Sequence, residues 1–263
     1  MNYKTLLIAA TTATLLMSGC DADRGTTLQD SLVGNTVEDK IAGYAVFDPD
    51  AGLIPYPNNI LYAENSSSTN DPDGVTLNIP YEPTDADAGI KQQLNQLTGF
   101  ATTAPITAPV TATLALDTIS SGVQVYDVNM SGGAVTAINT ALTFGLDYYA
   151  TQSGNNVVIL PLQPLKSNSN YMVVLTSDLK DANGRVLAPD IATALTLGPN
   201  PVEAGGSLDP ATAAALESIR QGNQLMVAAL IADGKDPSNT VQIWNFHTQV
   251  VGAVQANIAA NIR

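Results

Sequence analysis

Residues Asn155–Leu187 read NNVVILPLQPLKSNSNYMVVLTSDLKDANGRVL. Two apolar runs rich in β-branched residues, Val157 to Leu160 and Tyr171 to Leu175, flank a stretch of Pro, Lys, Ser and Asn. Runs of this length bounded by turn formers are strand signals, because branched side chains suit a pleated, half-buried surface. The second run leads into Asp178–Leu179–Lys180–Asp181–Ala182–Asn183–Gly184, whose Asn-Gly pair tolerates the positive φ of a tight turn. The stretch predicts a hairpin at the core of a small antiparallel β domain, and it carries no visible chemistry.

Strand signals continue on both sides of it. From Pro109 the candidates are Ala112–Leu116, Gly122–Tyr126, Ala134–Ile138, Asp147–Ala150, Val157–Leu160, Tyr171–Thr176 and Ile191–Leu197. Turns at Ser131–Gly133, Ser153–Asn155 and Asn183–Gly184 punctuate them. Short strands at this spacing predict a mainly β fold, an Ig-like antiparallel β-sandwich, over residues 107–250. Residues 200–206 read as a linker. Asp209–Pro210 then offers an N-cap and a proline for the first helical turn, so an inserted helix is expected over 209–232. Its apolar face would be Leu216, Ile219, Leu225, Met226 and Leu230, and Asp236–Pro237 would break it. Val241–Gln249 reads as a final strand, and residues 251–263 as the start of another helix.

On the amino side, Pro49, Pro55 and Pro57 forbid a helix over Tyr44–Tyr62, so residues 44–106 read as a Pro-rich docking segment. Val75–Pro80 alternates as a strand, and Ile90, Leu94 and Leu97 form the apolar face of a short accessory helix over Ala88–Leu97. Asp48, Asp50, Asp71 and Asp73 are hard oxygen donors of the kind Ca²⁺ takes. The Asp-Pro-Asp-Gly pattern is equally turn chemistry, and no EF-hand loop closes around either pair. No metal site and no cofactor is called for.

The chain has 10 basic and 24 acidic residues, for a net charge of −14. Such a surface repels phosphate backbones, so nucleic acid is not an expected partner. A single cysteine, Cys20, excludes an intramolecular disulfide and a thiolate metal cluster. A single histidine, His247, restricts acid–base chemistry.

Residues 1–19 have the layout of a secretory signal peptide, with Lys4 ahead of an apolar run too short to span a bilayer. The run ends Leu16–Met17–Ser18–Gly19–Cys20, which resembles a bacterial lipobox and makes Cys20 the lipid attachment site. Residues 20–43 then read as a lipidated flexible tether. The expected location is a lipoprotein secreted through the inner membrane and anchored at the outer membrane or cell surface. Asp21 leaves the inner membrane open.

Three pieces in order, FDPDAGLIPYPNNILY, DGVTLNIP and LTGFATTAPI, resemble the N-terminal domain of the bacterial virulence factor lipases, surface lipases and lysophospholipases of Vibrio-like gammaproteobacteria. Asn59, Thr98 and Ala101 depart from the usual motifs. The resemblance implies that a lipase catalytic domain follows in longer relatives and is absent from this chain, residues 251–263 beginning the linker to it. It also implies Thr where this chain has His247. A lipase of the α/β-hydrolase type needs Gly-x-Ser-x-Gly to hold its serine on a sharp turn, and the chain has none. The triad base could only be His247, which reads as a strand residue.

The expected function is therefore a non-catalytic module, with no catalytic residue, that scaffolds or presents a lipase domain at the membrane. The alternative is a stand-alone Ig-like envelope adhesin or ligand-binding lipoprotein. Tyr56, Tyr62, Tyr81, Tyr148 and Tyr149 would be its candidate contact aromatics.

Overall fold

Both apolar runs of 155–187 form strands, Asn156–Pro161 and Asn170–Thr176, but the two lie in different sheets. The computed structural model describes residues 40–49, 51–64, 75–77, 81–95, 97–206 and 208–252. In chain order the first elements are β1 (Ile41–Ala45), β2 (Tyr62–Glu64), β3 (Val75–Leu77), α1 (Ala88–Leu94), β4 (Ile106–Pro109) and α2 (Ile119–Gly122). There follow β5 (Val123–Ser131), β6 (Ala134–Ala141), β7 (Tyr148–Ser153), β8 (Asn156–Pro161), β9 (Asn170–Thr176) and β10 (Val186–Pro189). Last come α3 (Ile191–Leu197), α4 (Pro210–Ala232) and β11 (Thr240–His247).

Two antiparallel sheets make the body of this mainly β protein, one in the order β4-β8-β7 and the other β11-β9-β5-β6. The expected 155–187 hairpin is corrected by this arrangement. Val157 and Ile159 of β8 and Tyr171, Val173 and Leu175 of β9 all point into one core, so the runs meet face to face and not edge to edge. Period-two alternation is the same in both cases. The connection between them arches over the end of the sandwich, with Leu165 buried beneath it and its N–H donated to Thr102 O. Fully burying each such aliphatic side chain contributes about 1.5–3 kcal/mol. Tyr148 crosses the gap, donating its buried hydroxyl to Val123 O at 2.8 Å.

Counting β4 to β9 and then β11 as seven strands gives an Ig-like two-sheet layout with one exchange. The second strand, β5, has joined the sheet of the third, sixth and seventh.

Helix α4 covers the outer face of the four-stranded sheet. Met226, Ala229 and Leu230 pack on Tyr126, Val128, Met172, Val174 and Ile243. Asp209 caps it as expected, its Oδ1 accepting the N–H groups of Ala211 and Thr212. Leu225, expected on the buried stripe, is exposed, and Ala213 and Ala229 fill the close approach instead. Gly234, at φ 73°, turns the chain away before Asp236–Pro237 is reached.

Four further expectations are corrected. Ile191–Leu197 is α3 and not a strand: Asp190 Oδ1 accepts the Thr193 N–H and starts a helical turn, and its Oδ2 takes the Phe47 N–H. Ala112–Leu116 forms no strand. There the Gln152 side chain takes the place of a neighbouring backbone, accepting from Leu114 N–H and donating to Ala112 O. The tether assigned to 20–43 gives way at Ile41 to β1, which pairs in parallel with β10. In α1, Ile90 and Leu94 are exposed, and only Leu97 beyond the helix packs on the core.

The turn after β9 is organised by Asp181. Its Oδ1 accepts from the Asn183 and Arg185 N–H groups and its Oδ2 pairs with the Arg185 guanidinium, while Gly184 supplies the positive φ of 77°.

Candidate functional site at the junction after β11

The residues following β11 are clasped from two sides. On one side Gly99 and Phe100 run parallel to Thr248, with Phe100 N–H donated to His247 O and Gln249 N–H donated to Phe100 O, both at 2.8 Å. On the other side is the β8–β9 connection. Thr248 donates its N–H to Ser169 O and its hydroxyl to Lys166 O, and the same hydroxyl accepts the Ser169 N–H. Gln249 O receives the Asn168 N–H and the Ser167 hydroxyl, and Val251 N–H reaches Ser167 Oγ at 2.7 Å.

Lys166 ties this loop to the sheet. Its ammonium pairs with the buried Asp127 carboxylate, which holds the lysine above its ordinary pKa, and its N–H is donated to the Tyr171 hydroxyl. Asn139 donates a further hydrogen bond to Asp127 Oδ1.

His247 belongs to the same clasp. Its Nδ1 lies 2.8 Å from Asn170 Oδ1 and its Nε2 3.1 Å from Asn168 Oδ1, so both ring nitrogens are engaged by side-chain amides of the loop. Asn168 sits at φ 51°, a left-handed conformation that asparagine tolerates better than most residues. The Tyr62 ring packs edge-on against both His247 and Phe100, and Tyr56 meets Phe100 edge-on at 5.4 Å. Tyr62 donates its hydroxyl to Thr98 O. Deeper in β11, Trp244 Nε1 and Gln242 Oε1 are buried without a hydrogen-bond partner among the described residues.

The other sequence candidates fall elsewhere. Tyr148 is an inter-sheet core residue whose burial pushes its phenol up to about 12. Tyr149 lies on the outer face of the three-stranded sheet and Tyr81 in the loop before α1, so the five tyrosines form no common contact surface. Asp48 accepts the Ala51 N–H in a turn closed by the Asp48–Leu53 bridge. Cys20, Asp50, Asp71 and Asp73 lie outside the described residues. Among the described residues no group of three or more His, Cys, Asp or Glu could hold a metal ion, and no helix is long and apolar enough to cross a membrane.

The family model described as bacterial virulence factor lipase N-terminal matches residues 22–256. The chain belongs to this family. No curated protein matches it. As a lipase N-terminal domain, its quoted motifs acquire a structural meaning: FDPDAGLIPYPNNILY supplies Tyr56 and Tyr62, and LTGFATTAPI supplies Gly99, Phe100 and Thr102. Two of the three motifs thus converge on the junction, through ring contacts and backbone hydrogen bonds to residues some 150 positions further along. Sequence reading missed Thr248, Ser167 and Asn168, since a Ser/Asn-rich loop signals a turn and not the strand it will grip.

Proposed function

We propose that this chain is the non-catalytic N-terminal module of a bacterial surface lipase, and that it holds and presents a catalytic domain. The observation that carries this is the clasp after β11. Family motifs, an ion pair and a hydrogen-bonded loop all fix the direction in which the polypeptide leaves the sandwich, at the end where the rest of an N-terminally extended enzyme would follow. A rigid junction sets a domain's orientation at little entropic cost, whereas a flexible one would not.

The purified chain should leave short-chain esters and lysophospholipids unhydrolysed. Turnover that disappears in His247→Ala would overturn the reading, because that histidine is the chain's only candidate for a triad base.

The module is further proposed to be a lipoprotein acylated at Cys20, exported through the inner membrane and held at the outer membrane or cell surface, with Asp21 bearing on which membrane retains it. Each buried acyl CH₂ would contribute about 0.8 kcal/mol, and more than one chain is needed for stable anchoring. Cys20→Ala should move the protein from the membrane pellet to the soluble fraction; a variant that still pellets would sink the anchor.

A further inference from the structure

The two outer faces of the sandwich are unequal. α4 covers the four-stranded sheet, while of the described helices only the short α2 makes substantial contact with the three-stranded sheet, at β7. On that open face Tyr149 and Leu160 sit opposite one another across β7 and β8, 47% and 38% exposed, with Phe144 packed on the Tyr149 ring at 5.4 Å. Leu162, 51% exposed, follows at the end of β8. The next row outward, Thr107, Val158 and Thr151, is also uncharged. These two rows carry no charge, and Asp147, whose carbonyl takes the Leu162 N–H, stands at the rim. An uncharged apolar centre on a chain of net charge −14 is the pattern of an interface, where charged residues are depleted at the core and aromatics enriched.

The junction points to the occupant. Tyr56 exchanges backbone hydrogen bonds with Thr107, at the edge of the open face, and its ring packs on Phe100, which in turn receives the Gln249 N–H. The polypeptide therefore leaves the body two contacts away from the uncovered sheet. We propose that the outer face of β4-β8-β7, centred on Tyr149 and Leu160, is the surface on which the catalytic domain of the lipase docks, an inference that rests on the function proposed above. The occupant is an apolar patch of that domain, delivered from the Tyr56 side by the clasped junction.

The test mixes the full 263-residue chain with a separately produced catalytic domain from a longer family member and measures binding by titration calorimetry. Tyr149→Lys/Leu160→Lys and, independently, Leu162→Lys should weaken binding roughly tenfold or more, as loss of central apolar anchors does. Ile231→Lys, on the solvent side of α4, should leave it unchanged, and circular dichroism should show all variants folded. Binding that survives both open-face changes, or that falls equally in the α4 variant, overturns the docking face while leaving the proposed function intact. A wild-type chain that does not bind the catalytic domain overturns both. A wild-type dimer that the open-face changes convert to monomer in sedimentation would assign the face to a second copy and overturn the inference.

Discussion

Gly99 lies so close to the backbone of Gln249 that a Cβ built on it would stand 2.3 Å from the Gln249 nitrogen and 2.4 Å from the Thr248 carbonyl carbon. Both neighbours are backbone, and neither can swing aside. The glycine of the Gly-Phe motif is therefore a matter of clearance between two strands of the clasp. Gly99→Ala should lower stability by about 1–3 kcal/mol or more, the usual cost of overpacking, read as a fall in the urea midpoint. Gly89 in α1 has nothing within 4 Å of its would-be Cβ, so Gly89→Ala should be neutral or slightly stabilising.

Tyr148→Phe should cost about 1–2 kcal/mol, because it removes the hydroxyl that satisfies Val123 O between the sheets. The same phenol gives an alkaline limit. Burial raises its pKa from 10.0 to about 12, so the neutral form is favoured in the folded state. The resulting stability is complete below pH 10 and is lost as pH rises through about 12. Denaturation midpoints measured across that window should fall in the wild type and fall less in Tyr148→Phe.

At the acid end the corresponding group is Glu217. The hydrogen bonds it accepts from Arg220, then from Val202 N–H and Gln221, lower its carboxyl from 4.5 to about 2. A depressed carboxyl stabilises the fold above its unfolded pKa, so this contribution should be present above pH 4.5 and decline as pH drops toward 2. Glu217→Gln should flatten the urea-midpoint profile over that interval, and the segment before α4 held by Val202 should become more susceptible to proteolysis.

These residues also show where sequence reading succeeds. Asp209–Pro210 announced α4 because a cap and a fixed φ act within one turn of chain. The strands were legible because alternation is a property of each strand alone. Which face of β8 meets which face of β9 depends on a partner far away in sequence, and alternation carries no information about it. Ile191–Leu197 misled for a related reason: its β-branched residues favour extended backbone, but Asp190 supplies both a helix cap and an anchor for Phe47 N–H. The junction was the least legible part, since Gly99, Ser167 and Thr248 acquire their roles only when three separated segments meet.

The placement of β11 has a consequence for how the protein is made. It pairs with β9 across the whole of α3 and α4, so β9 has its final neighbour only after more than sixty further residues have been synthesised. Until then the Tyr171–Leu175 run presents a bare, strongly apolar strand edge, the kind that recruits other chains. Emergence of residues 240–247 closes it. That edge is thus most exposed to aggregation during the interval in which α4 has been made and Trp244 has not.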